Sequence, residues 1–234
     1  MVTHSPTARG GSVAPPAPGE LAALQLPAFL EILPAPGRLT VDLSCGSGIV
    51  GRLLAARGHT LIGTESDPRA ARTALMTGGY DEVLLATPPT IPLPDAAASL
   101  VVAWMAYDFA DDLDSAVGEA SRVLAPGGSI ALAVLEAFTQ SALAPGHQPP
   151  HALATTTRGG HWVLVRTTPR QPADYLAALD RAGFVNETVA EPCPPPHLPS
   201  FLHVLAVKPQ LGRQLVGDAN DGQAPRRCRA CRVG

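Results

Sequence analysis

The chain has 234 residues, 46% of them hydrophobic and 16% charged, with a formal net charge of −3. This composition describes a folded domain with a sizeable core and argues against an extended basic surface for nucleic acid. No run reaches the roughly 18 apolar residues of a membrane helix, and no apolar export-type core follows the N-terminus, so a cytoplasmic protein with no membrane partner is expected.

Residues 1–19 are rich in Pro, Gly, Ser and Ala, lack periodicity and read as a disordered leader. Residues 20–35 read as a proline-broken helical region with Leu26, Phe29, Leu30 and Leu33 on one side and Pro27 opening the second piece. Such a segment would serve as a covering helix, lid or cap. The organising stretch follows at Leu39–Gly51. An apolar strand runs into Gly46, Gly48 and Gly51, spaced G-x-G-x-x-G, and an apolar helix pattern begins at once with Ile49, Val50, Leu53 and Leu54. Strand, glycine turn and helix together predict a ligand-binding turn that lets a ligand approach the backbone. Asp42 stands inside that strand, four residues before Gly46. A carboxylate there suits a ligand with positive charge or N–H donors and repels a pyrophosphate.

Thr60–Thr64 reads as the second strand, with Glu65 at its end placed to accept from paired ribose hydroxyls. A helix over Ser66–Thr77, a short strand over Glu82–Leu85 and the proline-rich loop Thr87–Asp95 come next. Ser99–Met105 reads as a buried parallel strand, Asp111–Leu124 as a helix, Pro126-Gly127-Gly128 as a hard turn and Ser129–Leu135 as another buried strand. Residues 136–160 read as a long loop or insertion near the acceptor side, with a short helix at 137–144, and His161–Thr167 as an extra strand. Asp174–Ala182 is a predicted helix. Val185–Ala190 and Phe201–Val207 are predicted to form an antiparallel pair at the sheet edge. The expected fold is an α/β, Rossmann-like three-layer αβα sandwich. Its sheet is mostly parallel and roughly seven-stranded, with a C-terminal antiparallel hairpin. Residues 20–208 form a single domain in this reading, and 209–234 a flexible basic tail.

Four cysteines, Cys45, Cys193, Cys228 and Cys231, make no disulfide framework. Cys45 reads as a small buried hydrophobe. Cys228-x-x-Cys231 lies among Arg226, Arg227, Arg229 and Arg232, without the second local pair a structural zinc site needs, so no metal is expected.

The ordered motifs resemble those of a class I S-adenosylmethionine-dependent methyltransferase of the broad small-molecule, type 11-like group. They are Asp42-Leu43-Ser44-Cys45-Gly46-Ser47-Gly48, Gly63-Thr64-Glu65 and Ile91-Pro92-Leu93-Pro94-Asp95. Glu119 to Gly128, containing R-V-L-x-P-G-G, and Ala182-Gly183-Phe184 complete the series. The resemblance covers roughly residues 36–208. It implies S-adenosyl-L-methionine as cofactor, with Asp42 at its ammonium group, Ser44, Gly46 and Gly48 along its ribose and methionine portions, and Glu65 on the ribose. Thr87 would stand on the adenine side and Met105 near the sulfonium. Ala86-Thr87 stands where many relatives carry an acid, and Ser99-Leu100 where they carry Phe-Asp.

Trp104, Tyr107 and Asp108 are candidates for the acceptor pocket, and His147, His151 and His161 for a general base. The expected function is methyl transfer to a small-molecule acceptor at an O, N or C centre, by a monomer or homodimer with no nucleic-acid partner. Two alternatives stay open at this point: an NAD(P)-dependent oxidoreductase, favoured by the literal glycine spacing, and a non-catalytic or non-methylating S-adenosylmethionine-binding protein.

Overall fold

A computed structural model describes residues 18–77, 79–87, 89–135, 152–156, 162–166, 168, 170–191, 201–210 and 226–227. The elements in chain order are α1 (Pro18–Glu31), β1 (Thr40–Asp42), α2 (Ile49–Ala55), β2 (Leu61–Glu65), α3 (Pro68–Met76), β3 (Glu82–Leu85) and β4 (Ala98–Trp104). After a 3₁₀ turn at Tyr107–Phe109 come α4 (Leu113–Val123), β5 (Leu124–Leu135), β6 (Ala152–Thr156) and β7 (Trp162–Arg166). The last elements are α5 (Pro172–Arg181), β8 (Val185–Glu191), β9 (Phe201–Val207) and β10 (Arg226–Arg227).

The main sheet has eight strands in the order β10-β8-β9-β5-β4-β1-β2-β3. Seven are substantial, and β10 adds two residues alongside β8. Strands β3, β2, β1, β4 and β5 run parallel, while β9 is antiparallel to both β5 and β8. The expected αβα sandwich is therefore the observed architecture. One apolar layer joins the sheet to α4 and α5 through Ala116, Val117, Ala120, Tyr175 and Leu179. The opposite layer joins it to α1, α2 and α3 through Leu26, Phe29, Val50, Leu54 and Ala74. Strand order reverses at β1, which pairs with β2 on one side and β4 on the other, and open α/β sheets bind ligands beyond the carboxyl ends at such a point.

Several expectations are corrected. The helix around Pro27 is one continuous helix: Pro27 lies inside α1, and Leu26, Phe29 and Leu30 are buried on the sheet. The Pro-Gly-Gly turn does not precede β5 but lies within it. Ala98 pairs with Leu124 and Leu100 with Ser129, so the intervening residues bulge out of the ladder, and Gly127 takes φ +82° to allow it. The β8–β9 pair is antiparallel as expected. The pair closes that side of the sheet, with the almost wholly buried β9 against β5 and the more exposed β8 outside it. Residues 152–156, read as loop, pair with Trp162–Arg166 in a separate two-stranded antiparallel sheet. The leader over 1–17, the helix at 137–144 and most of the tail lie outside the described residues.

Local chemistry sets the helix starts. Asp67 caps α3 by accepting from the Arg69 N–H, with Pro68 at the first helical position, where its missing N–H is harmless. Asp112 caps α4 by accepting from the Ser115 N–H at 3.0 Å. The proline loop is fastened to α4 by two neighbouring side chains. Glu119 accepts from the Ile91 N–H at 2.9 Å, and Arg122 donates to the Ile91 carbonyl at 3.0 Å and to Asp95 at 2.6 Å.

Candidate functional site

At the switch point the carboxyl ends of β1, β2 and β4 open onto a cleft of about 510 Å³. Its lining contains Ser44, Glu65, Ser66, Thr87, Pro89, Ala106, Phe109, Ala110, Asp111 and Asp112. Among the described residues, three carboxylates and no basic side chain line this space. A small recess of about 20 Å³ continues inward between Leu43, Ala86, Ile91, Ala106 and Tyr107, mostly apolar and with room for about one water.

Two backbone positions flank the cleft. Ser44, after β1, has φ +52°, and Met105, after β4, has φ +57°. Neither is glycine, so each left-handed turn carries strain that surrounding bonds must hold. Met105 donates its N–H to the Ala133 carbonyl at 2.8 Å, and the Cys45 N–H is held by the Thr64 carbonyl at 2.9 Å. The chain thus turns sharply at two adjacent strand ends.

Glu65 is oriented by the backbone. One oxygen accepts from the Gly46 N–H at 2.9 Å; the other accepts from the Ser66 and Asp67 N–H groups at 2.8 and 3.0 Å. These bonds tie the end of β2 to the glycine turn and present the carboxylate at the cleft wall. Asp42 is only 1% exposed. Burial, with help from the nearby Glu65 charge, pushes its carboxyl up to about 7, against a hydrogen bond from Tyr80 that pulls it down. The Tyr80 hydroxyl donates to Asp42 Oδ2 at 2.5 Å and accepts from the Gly51 N–H at 3.2 Å. Tyr80 was not among the expected site residues. Its one sequence signal is a lone tyrosine just before β3, which says nothing about Asp42.

The glycines divide the labour differently from the motif reading. A Cβ on Gly46 would meet nothing nearer than the Ser44 carbonyl at 4.0 Å, so this position, with φ +55°, borders open space. A Cβ on Gly51 would fall 2.1 Å from Tyr80 Cζ, and one on Gly48 would fall 2.9 Å from Ala74 Cα. Only the first glycine thus borders open space; the other two make room for Tyr80 and α3.

The acceptor candidates separate. Trp104 packs on the α1 face, stacked on Phe201 with ring centroids 5.7 Å apart and tilted against Phe29 at 5.0 Å. Tyr107 lies in the opposite apolar layer and borders the small recess. Asp108, expected at the cleft, is fully buried and accepts from the Leu135 N–H at 3.1 Å. Burial raises its carboxyl to about 8. Its backbone carbonyl accepts from the Thr168 N–H, and Arg170 donates to the carbonyls of Tyr107 and Asp111, each at 3.2 Å, so this turn is a fastening point. Thr87 is exposed and lines the cleft.

His147, His151 and His161 lie outside the described residues, as do Cys193, Cys228 and Cys231. A different histidine is central. His203 on β9 is fully buried among Phe29, Trp104 and Phe201, and among the described residues neither ring nitrogen nor the Trp104 indole N–H has a hydrogen-bond partner. Burial lowers His203 to about 4, so its imidazole is neutral at ordinary pH. Cys45 is 7% exposed, and burial together with Asp42 and Glu65 pushes its thiol up to about 12, which leaves it an unreactive small side chain.

Residues 41–132 match the family described as a methyltransferase domain. A malonyl-[acyl-carrier protein] O-methyltransferase of Serratia marcescens is 30% identical over 102 residues, which cover 44% of this chain and 40% of that one. The chain thus spans less than half the length of that relative. Among solved structures, a S-adenosylmethionine-dependent methyltransferase from Mesorhizobium loti aligns with TM-score 0.62 and 23% identity, covering 79% of this chain and 97% of that one. A second, from Aquifex aeolicus, aligns with TM-score 0.58 and 15% identity over 82% of this chain and 93% of its own. The domain match over residues 41–132 supports a class I S-adenosylmethionine-dependent methyltransferase, and the solved structures share its fold. No described helix is long and apolar enough to cross a membrane.

Proposed function

We propose that the protein transfers the methyl group of S-adenosyl-L-methionine to a small-molecule acceptor. The observation that carries this reading is the sign of the cleft. Among the described residues, Glu65, Asp111 and Asp112 line it with no basic side chain, and Asp42 is buried at the end of β1. A pyrophosphate-bearing dinucleotide would be repelled there, whereas a ligand with a sulfonium, an ammonium group and a cis-diol is attracted. The residues fit that cofactor: Glu65 would accept from the ribose hydroxyls, Asp42 would neutralise the ammonium group, and the turn at Ser44 and Gly46 would run along the ribose and methionine portions. The adenine ring would lie in the cleft itself, beside Thr87 and Pro89. Thr87 and nearby backbone groups would take the part that an acid plays in many relatives.

When bound, the cofactor supplies an already activated methyl group on its sulfonium, so the protein needs little acid–base machinery. This chain's work is alignment and exclusion of water. Met105, held in its left-handed turn by Ala133, would border the sulfonium, and Ala106, Phe109 and Ala110 would wall the space beyond it. Whether an acceptor oxygen or nitrogen hands its proton to His147, His151 or His161 is tested by replacing each with alanine; a base would lower turnover and leave cofactor affinity unchanged. The first test of the whole reading is calorimetry with S-adenosylhomocysteine and with NAD. Binding of the former alone is expected, and binding of NAD alone overturns the proposal.

A further inference from the structure

We propose that Tyr80 is a positioning residue for the cofactor: its hydroxyl locks one oxygen of Asp42 onto the glycine turn and so aims the carboxylate at the ammonium group. The inference rests on the methyltransferase reading above. It begins from the slot that holds the ring. Tyr80 is 8% exposed, and its ring lies against Gly51 in the glycine turn and Gly63 in β2, where a Cβ would fall 2.1 Å and 3.1 Å from ring atoms. Gly63 is the residue paired in register with Asp42. Two glycines from different elements therefore make room for one ring beside one carboxylate.

A phenylalanine would fill that slot equally well, so packing does not account for the hydroxyl. From the loop before β3, the hydroxyl joins two elements in one chain of bonds: the Gly51 N–H of α2 donates to Tyr80 Oη, and Tyr80 donates to Asp42 Oδ2 at the end of β1. Hydrogen bonds to an ionised group are short, directional and stronger than neutral ones. They fix the carboxylate rotamer and favour its charged form. The titratable groups around Asp42 are Tyr80, Cys45 and Glu65. Glu65 disfavours the charge on Asp42, and Tyr80 is the neighbour that favours it. Without the hydroxyl, Asp42 would hold its proton to higher pH and attract a cation less.

The test is calorimetric titration of the full chain with S-adenosylhomocysteine across about pH 6 to 9, for the wild type, Tyr80→Phe and Asp42→Asn. Wild-type affinity is expected to rise with pH through about 7 as Asp42 ionises. Tyr80→Phe should weaken binding about tenfold near neutral pH, the loss of one charge-assisted hydrogen bond, and move the inflection upward. Asp42→Asn should abolish the inflection. If Tyr80→Phe melts at a lower temperature yet keeps the wild-type affinity and inflection, Tyr80 is structural only and the proposal is overturned. If Tyr80→Phe does not fold, 3-fluorotyrosine at position 80, a stronger donor, should move the inflection downward; an unmoved inflection overturns the proposal. A wild type that binds at no pH overturns the methyltransferase reading itself, which is a distinguishable outcome.

Discussion

The carboxyl edge of the sheet has two halves that treat buried polar groups in opposite ways. Around β1 and β2 the carboxylates are anchored: Asp42 by Tyr80, and Glu65 by the N–H groups of Gly46, Ser66 and Asp67. Across the sheet, under α1, the Trp104 indole and both nitrogens of His203 are enclosed by aromatic rings with no partner among the described residues. A buried polar group without a partner costs about 1–3 kcal/mol. The first half is organised in advance for a charged ligand. The second half keeps a cluster less stable than an apolar one of the same shape would be.

The comparison breaks most readily at Glu65. Glu65→Ala should weaken S-adenosylhomocysteine binding on the order of 100-fold, about 3 kcal/mol for two charge-assisted bonds to the ribose, as measured by calorimetry. Next comes Gly51→Ala. With its Cβ 2.1 Å from Tyr80 Cζ, it should cost about 1–3 kcal/mol in denaturant unfolding through displacement of the ring. A change on the aromatic side should act with the opposite sign. His203→Phe removes unpartnered nitrogens and should stabilise the protein by about 1–2 kcal/mol. It also tests the titration. His203 is lowered to about 4, so between about 4 and its ordinary value of 6.5 the unfolded chain binds the extra proton. The His203 contribution to stability therefore falls as pH drops through that window, and His203→Phe should abolish that part of the slope. The smallest effect is expected from Arg122→Ala, which unfastens the proline loop from a partly exposed clamp. A loss of about 1 kcal/mol, seen as a few degrees in melting temperature, would mark it as a local fastener.

Much of the first half was legible in the sequence. Asp42, Gly46 and Glu65 lie on one strand–helix–strand unit, where local order fixes their spacing. Tyr80 was not legible, because it reaches Asp42 only after β3 docks beside β2, and sequence distance hides that contact. The second half was read less well. His203 sits in a seven-residue apolar strand and carries no motif, and Asp108 follows β4 just as a pocket residue would, yet turns inward to Leu135. The edge position of the β8–β9 pair was legible from adjacency in sequence; which of the two lies inside was not, and burial puts β9 against β5.

That inner position has a consequence for biosynthesis. Until Phe201–Val207 have been synthesised, the outer edge of β5 has no partner, although Ser129–Leu135 are all buried once the sheet is complete. A nascent chain in which β5 has already joined β4 would therefore carry an open, apolar strand edge, the kind of edge that recruits other chains. Folding of this domain is completed from its last long strand, and release of the chain before that strand would leave a protein with an intact glycine turn and a sheet prone to aggregation.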